Sequence, residues 1–169
     1  MPTTVDSYRY ISGITKRMIQ TWIKKDGPAA NHPWTPLRKP LLQSKVALLS
    51  SAGAALLTDK PFDQETERRN PWWGDPSYPL IPRQVQTGDV DYYHLHINAD
   101  YARKDINCLF PIQRLNELEA TGEIGKAADW HYSMMGYLLD PTELLERSVP
   151  AMIEHMRAAE IDVLLLAPA

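Results

Sequence analysis

From Asp140 onward the chain reads as a helix that runs straight into an apolar strand, and that pairing limits the fold more than any other stretch. Asp140-Pro141-Thr142-Glu143 is a helix start, with an Asp cap, Pro at the first position and Glu two residues beyond it. Leu144, Leu145, Val149, Met152, Ile153 and Met156 form the apolar face, and Pro150 predicts a kink in the middle. Ile161 to Leu166 then has the composition of a fully buried strand. A strand of that kind leads to the carboxyl edge of a sheet, where open α/β folds keep their chemistry.

Two further strands are predicted. Lys45 to Ser50 (KVALLS) is short and apolar with Gly53 just past its end, and Val90 to Ile97 (VDYYHLHI) is rich in Tyr and β-branched residues. Between the second and third strands, Phe110-Pro111 opens a helix with Pro at its first position. Ile112, Leu115 and Leu118 form its stripe and Gly122 ends it. Strands alternating with helices predict an α/β fold with a mainly parallel sheet and flanking helices, like half of a flavodoxin-like, doubly wound domain. From Gly53 to Asp89 the chain shows no periodicity and is dense in Pro, Trp and turn dipeptides, so it reads as a long loop, functional if it is a loop at all.

Ahead of this unit, Asp6 or Ser7 is placed to cap a first helix. Ile11, Ile14, Met18 and Trp22 repeat at helical spacing up to Asp26-Gly27, giving one apolar stripe to bury. Residues 27–40 hold four prolines and act as a stiff arm. The predicted division is 1–43, helix and Pro-rich arm, then 44–169, an α/β domain incomplete at its carboxyl end.

The charge balance removes several function classes. Lys plus Arg is 18 against 21 for Asp plus Glu, without a basic stripe, which excludes a nucleic-acid or anionic-membrane footprint. MPTTVDSYRY has no basic region followed by an apolar core, and no apolar run is long enough to span a bilayer. A cytoplasmic location is the expectation, and the single Cys108 agrees with a reducing compartment.

Polar groups gather at the predicted strand ends. His94 and His96 lie two apart on a strand and so share a face; without a third spaced ligand they read as a hydrogen-bonded pair rather than a metal site. His131 is an acid/base candidate or a core histidine. Ser51 and Gly53, in SSAGA, are placed where backbone amides hold an anion, but the GxxxxGK[ST], GxGxxG and GxSxG patterns are absent. Cys108, next to Leu109 and Phe110, reads as a packing residue. Trp72 and Trp73 either line a pocket or pin the long loop. These residues leave three readings open: an enzyme, a non-catalytic binding or subunit protein, and a metal-dependent hydrolase using His94, His96 and His131.

Taken in order, KPLLQSKVALLSSAG, PFD, GDPSYPLIP, HLH, DINCLFPIQRLNELEATGEIG, HYSMMGY and DVLLLAP resemble the selenoprotein B family of glycine, sarcosine, betaine and D-proline reductases. The resemblance covers about Pro36 to Ala169 and leaves the first helix outside. It implies an oxidoreductase subunit that cleaves a C–N bond reductively with a selenolate or thiolate, expected just after Ala169 as a selenocysteine or cysteine. A chain read only to Ala169 is then expected to be inactive. The implied partners are a subunit carrying a pyruvoyl group that holds the amine substrate, selenoprotein A and the thioredoxin system; no metal or nucleotide is implied. By the same resemblance His94, His96 and His131 surround the reactive residue as acid/base or orienting groups, and Asp105, Asn107, Arg114 and Tyr132 shape the substrate pocket with Ser51 and Gly53.

Overall fold

The computed structural model describes residues 8–9, 11–26, 35–70 and 72–169. The chain divides into two compact units, Met1–Pro36 and Leu37–Ala169. In the first, α1 spans Gly13–Asp26. It starts later than predicted because Ser12 caps it, its Oγ accepting the Thr15 N–H at 3.1 Å. Asp6 and Ser7 lie outside the described residues. Ile11, Ile14 and Met18, three members of the stripe expected to be buried, are exposed, and the side chain of Trp22 lies outside what is described.

In the second unit the elements run β1 (Lys45–Ser50), β2 (Ala54–Leu56), α2 (Gln64–Arg69), β3 (Leu80–Pro82), β4 (Val90–Tyr92), α3 (Ile112–Ala120), β5 (Lys126–Ala127), β6 (Trp130–Ser133), α4 (Val149–Ala158) and β7 (Val163–Ala167). β1 is the axis of a five-stranded sheet. One side of β1 pairs in parallel with β7 from Val46↔Val163 to Ser50↔Ala167. Its other side is shared by two short parallel strands, β5 at Lys45 and Val46 and β6 at Leu49 and Ser50. β3 adds antiparallel to β6, while β2 and β4 form a separate antiparallel ribbon. The fold is α/β with a mainly parallel sheet, as predicted. Among the described residues no helix is long and apolar enough to cross a membrane.

The two-residue period of β1 sorts the core into two layers. Val46 and Leu48 join Ile81, Phe110, Ile112 and Leu115 under α3. Ala47 and the partly buried Leu49 join Tyr132, Met152 and Leu164 under α4. α3 is capped as its sequence suggests at the far end, where Gly122 takes φ 74°. Pro111 sits at the N-cap rather than inside the helix.

Four expectations are corrected. The long loop from Gly53 to Asp89 contains β2, α2 and β3, each too short to show a period. The strand predicted for 90–97 stops at Tyr92, because the chain turns at His94, whose Nδ1 accepts the His96 N–H at 3.1 Å. β7 is an edge strand rather than a fully buried one: among the described residues it pairs with β1 alone, and Leu165 and Leu166 are 44% and 63% exposed. Pro150 does not kink a regular helix. Leu144–Ser148 widens into a π-turn in which the Val149 N–H reaches the Leu144 carbonyl, and Pro150 follows in the first turn of α4, where its missing N–H costs least.

Candidate active site

Three loops converge at the carboxyl ends of the parallel strands, which is where an open α/β sheet presents its crevice. The turn after β1 carries Ser51 and Gly53, the turn after β4 carries His94 and His96, and the turn after β6 carries Met135, Gly136 and Tyr137. Backbone bonds tie them: Gly53 N–H to the Met134 carbonyl at 2.9 Å, Tyr93 N–H to the Gly53 carbonyl at 2.9 Å, and Met134 N–H to the Ser50 carbonyl at 2.9 Å. Two glycines allow the approach. Gly53 has φ 61°, and a Cβ there would meet the His94 nitrogen at 3.1 Å. A Cβ on Gly136 would stand 2.7 Å from the Ser51 carbonyl oxygen and 3.2 Å from His94 Nε2.

The end of β7 reaches the same place. Its ladder continues through the Ser51 N–H to the Ala167 carbonyl at 3.3 Å, and Ser51 Oγ accepts the Ala169 N–H at 2.9 Å. Ser51 therefore touches the tail of β7 on one side and the Gly136–His94 contact on the other.

His94 is 9% exposed, and burial, with His96 nearby, lowers its pKa below the ordinary histidine value. Because Nδ1 accepts the His96 N–H, the ring is the neutral tautomer with its proton on Nε2. His96 is exposed; its ring centroid lies 5.9 Å from that of His94, edge-on, and 4.2 Å from that of Tyr137. The pair is the one predicted, but a turn brings the rings together, not a shared strand face.

The remaining predicted residues lie elsewhere. His131 is fully buried on β6, edge-on to Phe110, and its Nδ1 accepts the Leu48 N–H at 3.0 Å. That N–H falls between the residues of β1 paired with β5 and those paired with β6, so the imidazole fills a gap in the ladder. Burial pushes its pKa down to about 4. No hydrogen bond or ring contact joins it to His94 or His96 among the described residues.

Tyr132, one residue on, faces the other layer, with its hydroxyl 2.8 Å from His155 Nδ1. Asp105 and Asn107 organise the start of α3: Asp105 Oδ1 accepts the Asn107 N–H at 2.9 Å, and Asn107 Oδ1 accepts the Gln113 N–H at 3.1 Å. Arg114 is exposed and pairs with Glu117 at 2.7 Å. Cys108 is exposed rather than packed, because the single turn Ile106–Cys108 directs it outward while Ile106 goes into the core. Trp72 is 72% exposed and Trp73 half-buried, so neither is pinned deep in the core.

One residue of this neighbourhood was missed from sequence. Glu67 on α2 is 3% exposed, and among the described residues both carboxyl oxygens are buried without a hydrogen-bond partner. Burial raises its pKa above the usual carboxylate value, and His96 is the foremost charge opposing that rise. QETERR looks like a solvated charged segment, and nothing in it marks the buried position. Among the described residues no three His, Cys, Asp or Glu gather closely enough to hold a metal ion, and the hydrolase reading loses its third ligand with His131.

Over 133 residues the chain is 30% identical to the D-proline reductase subunit gamma of Acetoanaerobium sticklandii, covering 79% of this chain and 52% of that protein. The chain spans about half the length of this curated relative. It is thus similar to a subunit of a reductase complex. No family model and no solved structure matches the chain.

Proposed function

We propose that this chain is part of a reductase-complex subunit that takes part in reductive cleavage of a C–N bond in a small amine, with D-proline the first substrate to try. A selenolate or thiolate carried beyond Ala169 supplies the nucleophile; a selenolate is the more acidic and more polarisable of the two and stays ionised at neutral pH, whereas a thiol needs its pKa lowered by its surroundings. The observation that carries the reading is Ser51, which holds the Ala169 N–H while packing against Gly136 beside His94 Nε2. Ser51 thus joins the end of β7 to the loops that carry the histidine pair, which supports this reading.

In this reading His94, neutral and fixed by its bond to the His96 backbone, orients the reactive group, and the exposed His96 exchanges the proton of the leaving amine. His131 acts at one remove, by holding β1 and β6 in register. A pyruvoyl-bearing partner subunit presents the amine; the bond that the selenolate or thiolate forms to carbon as C–N breaks is then cleaved by a dithiol of the thioredoxin system, which supplies the two electrons, and selenoprotein A receives a carbon fragment only where the substrate is acyclic.

The test is turnover of the full-length protein assembled with its partner subunits, read as dithiol-dependent ring opening of D-proline. His96→Ala is expected to cut turnover by about a hundredfold or more with an unchanged unfolding midpoint. A wild-type rate in that variant overturns the role.

A further inference from the structure

A carboxyl with no hydrogen-bond donor in a closed environment costs stability, so its position asks for a chemical reason. Glu67 is such a group, and its helix is anchored over the histidine turn. Asp63 caps α2 by accepting the Thr66 N–H at 2.9 Å, and Gln64 Nε2 donates to the Tyr93 carbonyl at 2.6 Å. Gln64 and Glu67 stand one turn apart on the same face of α2, so the face that grips Tyr93 carries Glu67 toward the residues that follow it. The charges acting on the carboxyl are His96 and Arg68, which favour its ionised form, and Asp75, which opposes it.

We propose that Glu67 is a positioning residue for the histidine pair, a buried carboxyl whose charge balances the one His96 acquires when it takes up a proton. The inference rests on the reading that His94 and His96 serve the chemistry. A proton delivered to the leaving amine passes through His96, and an ionised carboxyl on α2 favours the protonated form of that ring and so keeps the proton available. The carboxyl itself touches neither substrate nor reacting atoms.

Glu67→Gln keeps the volume and removes the charge. Because the wild-type oxygens have no partner to lose, the variant is expected to unfold about 3 °C higher. In the assembled full-length protein its kcat is expected to fall about tenfold or more with KM unchanged, and Glu67→Asp recovers part of that loss. A lowered unfolding temperature means that the carboxyl holds the fold together and overturns the proposal; so does an unchanged kcat. A second readout is independent of turnover: the Glu67 carboxyl, followed by carbon NMR in wild type and in His96→Gln, titrates higher once the histidine is gone. If the assembled protein shows no reductase activity, the functional reading fails, and this titration still decides the coupling. An upward shift supports it and an unmoved titration overturns it.

Discussion

His131 makes the stability of this fold depend on pH in a way that one substitution isolates. In the folded chain its pKa is pushed down from 6.5 to about 4 by burial. In the unfolded chain it titrates at its ordinary value, so between these limits only the unfolded state binds the proton. Stability from a neutral buried histidine is therefore complete above about pH 6.5 and drains away as pH falls toward 4. At about 1.4 kcal/mol per pH unit the loss amounts to about 3 kcal/mol, a large fraction of the roughly 5–15 kcal/mol of a whole domain. His131→Gln removes the titration but keeps an acceptor near the Leu48 N–H. At pH 7.5 the variant is expected to be less stable by about 1–3 kcal/mol, from poorer satisfaction of that donor. Denaturant unfolding of both proteins from pH 7.5 to 4 gives the difference directly. That difference is expected to shrink and then change sign by about pH 4. A difference independent of pH would refute the assignment of a neutral, ladder-filling histidine.

Gly136→Ala puts a Cβ 2.7 Å from the Ser51 carbonyl oxygen, a backbone atom that yields only if the site loops move apart; thermal unfolding is expected to show a loss of about 1–3 kcal/mol. Asn107→Ala removes the acceptor for the Gln113 and Arg114 N–H groups at 3.1 and 3.3 Å. Uncapping α3 in this way is expected to cost about 1 kcal/mol in denaturant unfolding. Phe110→Ala empties a fully buried position in the core layer of Leu48, edge-on to His131, and is expected to cost about 3–5 kcal/mol by the same measurement.

What could be read from the sequence was whatever the chain specifies locally. KVALLS, DVLLLA and the Ile112–Leu115 stripe each announce their element through composition, and Asp140 announces a helix start through end chemistry, its Oδ1 accepting the Thr142 N–H at 3.1 Å. β2, β3, β5 and β6 run two to four residues, below the length at which alternation shows, and exist because β4, β6 and β1 offer them ladder partners. The π-turn before Pro150 is likewise a compromise between a proline and a face that must stay on the sheet. In the site, His94 and His96 stood out as chemistry-bearing residues, but the turn that joins their rings did not. His131 reads the same in sequence whether it touches a substrate or fills a gap between β5 and β6. Glu67 was hidden because burial of a carboxyl on a six-residue charged helix is decided by Gln64 gripping Tyr93 far along the chain.

The most direct test of the reductase reading is the gene and transcript beyond codon 169. Expected there is an in-frame UGA with a selenocysteine-insertion hairpin, or a cysteine codon, followed by an open frame that supplies the remaining length of a D-proline-reductase-like subunit. A UAA or UAG at that codon, or a UGA with no coding sequence after it, would contradict that reading, leaving the three loops around His94 without the redox residue they are proposed to serve.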